Sequence, residues 1–209
     1  IMVHGDDKGL VLPPRVAPIQ VVIIPIYHSD EEKNTVLEKS SMIKQELETC
    51  KLRVRLDDRD QVTPGFKFND WEMKGVPLRI EIGPKDLEHD KVVLVRRHNQ
   101  QKQEHPINGL VEKIVTDLDN IHNDMFSDAQ KILTDRTINV ETYDEFKSEL
   151  EKGMLIKAAI CENSSCEEKI KEETGSDIRV IPDGCEDNGS KCIYCDGQSK
   201  IRPLFARGY

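Results

Sequence analysis

Apolar positions along this chain repeat either every second residue or every three to four, and the changes of period mark its elements. Val21–Ile24 is an unbroken β-branched run, the pattern of a strand buried on both faces of a parallel or mixed sheet. Residues 34–51 carry Val36, Ser40, Ile43 and Leu47 at helical spacing with charges between them. Leu52–Leu56 alternates, setting Leu52, Val54 and Leu56 against Arg53 and Arg55. Strand, helix and strand in this order predict a βαβ unit with a right-handed crossover. A turn at Pro64-Gly65 and a strand at Pro77–Ile82 follow. Ile80 and Ile82 share one face of that strand, Arg79 and Glu81 the other, and Gly83-Pro84 ends it. Lys91–Arg97 reads as another strand. Residues 108–134 read as a long helix through Leu110, Ile114, Leu118, Ile121, Met125, Ala129 and Ile132.

After Thr137 the elements shorten. Thr142 and Glu145 have capping-box spacing before a helix over Tyr143–Lys152, which Gly153 closes. Leu155–Ile160 is an apolar strand. Ser165 and Glu168 repeat the box before a second short helix ending at Gly175, and Ile178–Ile181 is a further strand. The pattern predicts an α/β domain over residues 19–136, a mixed sheet with packed helices, followed by a small α+β domain over 137–209. Residues 1–18, turn-rich and then proline-rich, read as the end of something else.

Composition narrows the class. Of 209 residues 37% are hydrophobic and 33% charged; this is polar for a globular chain, yet the apolar blocks suffice for a core. No run of eighteen apolar residues is present, which excludes a membrane-spanning helix. The start, IMVHGDDKG, has neither a basic n-region nor an initial Met, as expected of a piece of a longer chain and not of a secreted start. Six cysteines without a signal peptide favour a reducing, cytoplasmic compartment. The net charge of −9 argues against nucleic acid, but residues 51–103 hold 12 Lys+Arg against 9 Asp+Glu. That local excess is by itself ordinary surface.

Four cysteines form Cys161-x4-Cys166 and Cys192-x2-Cys195, separated by 25 residues. Two such hooks are the usual frame of a closed, structural thiolate zinc site. The alternatives are free thiols or a redox pair at Cys192 and Cys195. A metal would suit a segment too short to build a deep core. Cys185 lies between the hooks as a possible competitor, and Cys50 reads as a packing residue.

Residues 64–86 concentrate further chemistry: the only Trp (Trp71), Phe66 and Phe68, the cations Lys67, Lys74, Arg79 and Lys85, and Glu72 and Glu81. Such groups stack on and hydrogen-bond an unpaired base. Taken without further context, Glu72 and Arg79 read as a surface ion pair of little energetic worth.

Several of these stretches together resemble one family. HGDDKGLVLPPRVAPIQVVIIPI (4–26) resembles the motif 3 exit of a class II aminoacyl-tRNA synthetase. RLDDRDQVTPGFKFNDWEMKGVPLRIEIGPKD (55–86) is similar to the anticodon-binding domain of prolyl-tRNA synthetase. The cysteine hooks with the terminal FARGY resemble the zinc-binding extension of its archaeal/eukaryotic type. The resemblance covers the whole chain in order.

It implies a mixed five-stranded sheet, a homodimer formed through an absent catalytic domain, and an enzyme that activates proline with ATP and Mg²⁺ and esterifies tRNA(Pro). Motifs 1 and 2 are absent, so the piece alone would be inactive; a non-catalytic tRNA-binding or regulatory module is the other reading. Phe68, Glu72, Arg79 and Lys85 match the positions that read the two guanines of a proline anticodon, with Arg59, Lys67 and Arg96 as weaker candidates and Trp71 as packing. His4 matches a residue near the amino-acid pocket and Arg15 one that contacts ATP phosphates. Tyr209 matches a terminal residue that reaches toward the catalytic site. Cys161, Cys166, Cys192 and Cys195 match the zinc ligands, although Asp196 stands where the family often has Gly.

Overall fold

A computed structural model describes residues 3–187 and 189–208. The chain divides into two compact units, Ile1–Ser127 and Asp128–Tyr209.

The first unit opens with a two-stranded antiparallel hairpin, β1 (Gly5–Asp6) and β2 (Gly9–Leu10). There follow β3 (Val21–Pro25), α1 (Asp30–Thr49), β4 (Val54–Leu56), α2 (Pro64–Met73), β5 (Leu78–Ile82), α3 (Pro84–Glu88), β6 (Lys91–Arg96), β7 (Lys102–Pro106) and α4 (Leu110–Asp135). The five strands form one mixed sheet in the order β4-β3-β5-β6-β7, with β3 parallel to both its neighbours and β5, β6 and β7 antiparallel. This is the expected architecture, with the expected β3–α1–β4 unit.

Strand alternation divides the sheet into two faces. Val21, Ile23, Leu78, Ile80 and Ile82 face a core shared with Val36, Ile43 and Leu47 of α1 and Leu110, Ile114, Leu118 and Ile121 of α4. Truncating one of these fully buried side chains, such as Ile80→Ala, would cost about 2–5 kcal/mol. Val22 and Ile24 point the other way and pack with Trp71 of α2, Val76 and the partly buried Phe68. Register aligns Arg79 with Val22 and Glu81 with Ile24, so both charges of β5 point to the α2 face. That alternation brings the polar half of β5 under α2.

The structure departs from the expectations where local signals had two meanings. Pro64-Gly65 opens α2 instead of forming a turn: Thr63 caps the helix, its Oγ1 accepting from the Phe66 N–H, and Pro64 sits where a missing N–H costs nothing. β7, KQEHP, lacks apolar alternation because it is an edge strand held only by β6. In α4 burial ends at Ile121, with Met125 partly covered and Ile132 57% exposed. At 26 residues the helix is about 39 Å long, whereas the six residues of β6 span about 20 Å, so its last turns outrun the sheet. Cys50 is the exposed C-cap of α1 and not a packing residue.

The second unit holds β8 (Thr137–Asn139), α5 (Tyr143–Glu151), β9 (Leu155–Lys157), α6 (Ser164–Thr174), β10 (Ser176–Val180) and β11 (Leu204–Arg207). Its sheet order is β10-β11-β9-β8, with only the β8–β9 pair parallel. Phe146 of α5 and Phe205 of β11 meet edge to face at 5.2 Å in the core, beside Ile156 and Ile170. Thr142 caps α5 as expected. The cap of α6 is Asn163, not Ser165, because the Asn163 side chain reaches the Ser165 N–H first. Gly175 ends that helix at φ 70° and the following strand begins at once, so β10 starts at Ser176, two residues before the expected Ile178, and ends at Val180, which is exposed like Ile181 after it.

Candidate nucleic-acid interface and metal centre

Arg79 is the centre of the α2 face. Its guanidinium carbon lies 4.5 Å from the centre of the Phe68 ring, within cation–π range. Nε and Nη2 both donate to Glu81 Oε1, at 3.0 and 2.9 Å. Lys102 of β7 donates to Glu81 Oε2 at 2.8 Å. Glu81 is nearly buried, so it fixes the guanidinium plane against Phe68 and leaves Nη1 without a hydrogen bond among the described residues. Glu72 and Arg79 thus do not form the surface pair that they suggest when taken without the family resemblance: β-strand geometry puts Glu81 two residues from Arg79 on the same face.

Glu72, in the last turn of α2, pairs instead with Lys8 of the hairpin, Nζ to Oε1 at 3.3 Å. The lysine balances charge but is not aligned as a donor, and Oε1 is buried without a hydrogen bond. Trp71, Glu72, Arg79, Arg96, Arg97 and Gln100 line one cleft of about 10 Å³, room for roughly one water. Phe68, Glu72 and Arg79 thus come together. Lys85 does not join them: it is exposed on α3, beyond the far end of β5.

The weaker candidates serve the fold. The Arg59 guanidinium donates to Asp57 at 2.7 Å and to Asp70 at 2.7 Å. Lys67 is buried with Nζ on the Asp57 carbonyl, and that burial pushes its pKa down. Trp71 Nε1 donates to Asp57 Oδ2 at 2.7 Å, so the indole packs as expected. Arg96 is held by Asp117 at 2.7 Å.

His4 is exposed beside the hairpin, its carbonyl accepting from Val11. Arg15 is exposed in the proline-rich loop, 4.0 Å from Asp119. Arg53, just before β4, clamps that loop through the carbonyls of Ala17 and Pro14, at 2.9 and 3.0 Å. Tyr209 lies outside the described residues.

In the second unit the two hooks converge. The Sγ atoms of Cys161, Cys166, Cys192 and Cys195 all lie within 4.8 Å of one another. Cys161 is 3.6 Å from Cys166 and 3.8 Å from Cys195. Tetrahedral zinc with bonds of about 2.3 Å requires sulfurs about 3.8 Å apart, so the donor set fits. Burial resists ionisation of Cys192, but the backbone N–H groups of Cys195, Cys161 and Tyr194 outweigh it and bring the thiol down to about 7. Burial and the neighbouring sulfurs push Cys166 up to about 12. Four thiols so close cannot all ionise without a cation among them. Asp196 adopts φ 56°, the left-handed value of a knuckle glycine, and a Cβ on Gly197 would stand 3.2 Å from Cys195 Sγ. The knuckle therefore forms with Asp in the Gly position. Cys185 is not part of the cluster.

Comparison with known proteins agrees with both halves. The anticodon binding domain family matches residues 20–117, and the family described as prolyl-tRNA synthetase, C-terminal, matches residues 143–209. The chain belongs to the prolyl-tRNA synthetase family. It is 48% identical over 209 residues to the proline–tRNA ligase of Cenarchaeum symbiosum, covering 100% of this chain and 44% of that protein. Proline–tRNA ligase 2 of Clostridioides difficile is 48% identical over 210 residues, 43% of its length, and the ligase of Roseiflexus sp. is 41% identical over 212 residues, 44% of its length. The chain thus spans under half the length of these relatives. No described helix is long and apolar enough to cross a membrane.

Proposed function

We propose that this chain selects tRNA(Pro) for a cytoplasmic, homodimeric proline–tRNA ligase by reading the two guanines of the anticodon on the α2 face. One observation carries the reading: a fixed Arg79–Phe68 stack stands beside a buried Glu72 carboxylate oxygen that has no hydrogen bond. A guanine Watson–Crick edge offers N–H donors, which Glu72 accepts. Its O6 and N7 accept from the open Nη1 of Arg79, while Lys85, outside the cleft, supplies positive charge for the RNA backbone. The base stacks on the side of Phe68 away from the guanidinium.

Residues 19–136 act as the anticodon-binding domain and 137–209 as a zinc-binding domain, with 1–18 the end of the catalytic domain. Cys161, Cys166, Cys192 and Cys195 would hold a structural zinc, whose chemistry there is to stabilise the thiolate forms and cross-link the fold. In the whole ligase, which joins proline to tRNA(Pro) with ATP and Mg²⁺, Arg15 offers a forked donor to the ATP phosphates, His4 lies near the proline pocket and Tyr209 reaches toward the active site.

The test is binding of an anticodon stem–loop carrying both guanines, against one in which a guanine is replaced by adenine. Arg79→Ala should weaken binding to the first by about 1–3 kcal/mol and shrink the difference between the two. Binding of both as tightly as the wild-type chain would overturn the reading.

A further inference from the structure

We infer that Asp6 and Lys8, on the hairpin ahead of the sheet, are positioning residues that set the guanine specificity of Glu72. The inference rests on Glu72 being a base reader. Three contacts carry it. Arg97 is 5% exposed and donates through Nη1 and Nη2 to both Asp6 carboxylate oxygens, at 2.8 and 2.6 Å. Its Nε donates to the Glu72 carbonyl at 3.0 Å. Lys8 Nζ lies 3.3 Å from the buried Glu72 Oε1. A forked guanidinium thus ties the backbone of Glu72 to Asp6, and an ammonium from the same hairpin balances its side chain.

Two glycines let the hairpin come this close. A Cβ on Gly9 would stand 2.5 Å from Met73 Cα, and one on Gly75 would stand 2.6 Å from Leu10 Cβ. The end of α2 and the hairpin are therefore packed backbone to backbone, so a shift of the hairpin moves Glu72 with it.

The physical consequences of the two contacts differ. Without Asp6, Arg97 loses the partner that fixes its plane, and the Glu72 carbonyl is held only through Nε. Without Lys8, the Glu72 carboxylate loses the ammonium 3.3 Å from Oε1 that holds it at the mouth of the cleft. Each loss degrades the contact to guanine while leaving contacts to the RNA backbone in place. The Lys8 side chain is 60% exposed.

The experiment compares affinities of this chain for an anticodon stem–loop and for stem–loops in which each guanine in turn is replaced by inosine, which lacks the 2-amino donor. Glu72→Gln, Asp6→Asn, Lys8→Met and the doubles with Glu72→Gln are measured. The inosine-to-guanine ratio of Kd should fall about tenfold in Glu72→Gln and by a similar factor in each hairpin variant. In the Glu72→Gln background neither hairpin change should lower it further, a non-additivity that general destabilisation does not produce. Loss of the ratio in Glu72→Gln alone, with both hairpin variants at the wild-type ratio, overturns the inference and leaves the reading of Glu72 intact. A wild-type ratio in Glu72→Gln overturns both. Lys8→Met, a change at an exposed side chain, decides the matter if Asp6→Asn does not fold.

Discussion

Trp71 Nε1 donates to Asp57 Oδ2 at 2.7 Å, joining the helix under the reading face to the loop after β4. Burial opposes ionisation of Asp57; the Arg59 guanidinium and the Trp71 indole outweigh it and hold the carboxyl down at about 2. An unfolded Asp titrates near 3.9. The folded value is depressed, so this group stabilises the fold above about pH 4, and the contribution is lost as pH falls toward 2. Trp71→Phe removes a hydrogen bond to a charged group, worth about 1.5–3 kcal/mol at pH 7. Urea unfolding at several pH values should show the gap between wild type and Trp71→Phe closing from pH 5 to pH 2. A gap of constant size would mean that the charge on Asp57 plays no part.

Zinc removal should act on the second unit alone. The sulfurs of Cys161, Cys166, Cys192 and Cys195 cluster beside a core built around Phe146 and Phe205, in a unit of modest size. Binding of a structural metal is folding free energy for such a unit. Chelation, or Cys192→Ser, should abolish amide-exchange protection in α6 and β11 while β3 and β5 keep theirs. The metal content should be one zinc per chain. Protection of α6 and β11 that is equal with and without chelator would rule out a structural role for zinc.

Gly75 has φ +73°, and its missing Cβ is where Leu10 packs, with Leu10 backbone at 2.8 Å. Gly75→Ala adds the cost of a left-handed non-glycine residue to steric overlap with backbone, about 2–4 kcal/mol together. A chemical denaturation midpoint equal to that of the wild type would show that the hairpin does not dock here.

Asp196 holds a left-handed conformation with φ 56° between Cys195 and Gly197. Replacing it by Gly relieves that strain, partly offset by greater freedom of the unfolded chain. Asp196→Gly should stabilise the second unit by up to about 1 kcal/mol, read as a higher midpoint for its thermal transition, with unchanged zinc stoichiometry. A lower midpoint would indicate that the Asp196 side chain has a role of its own.

Lys85 and Arg79 should fail differently. Lys85 is exposed on α3 and has no ion pair among the described residues, whereas Arg79 is fixed by Phe68 and Glu81. Lys85→Ala should reduce the slope of log K against log salt by about one contact and weaken all stem–loops alike. A base-dependent loss would make Lys85 a reader of sequence instead.

Sequence by itself determined what depends on neighbours along the chain. The unbroken run Val21–Ile24 specified a strand buried on both faces, and alternation in Leu78–Ile82 put Arg79 and Glu81 together on one side. Spacing within Cys161-x4-Cys166 and Cys192-x2-Cys195 specified two hooks. These follow from strand and turn geometry, which acts over a few residues. The same local signals misled where two structures share them, as Pro64-Gly65 did by opening a helix. Tertiary structure alone decided the partners. Lys8 meets Glu72 across 64 positions and Arg97 meets Asp6 across 91, because strand order and two close glycine contacts fold the hairpin onto α2. Spacing carries no trace of such meetings, since the energy that fixes them comes from burial and packing between segments and not from the backbone preferences of either one.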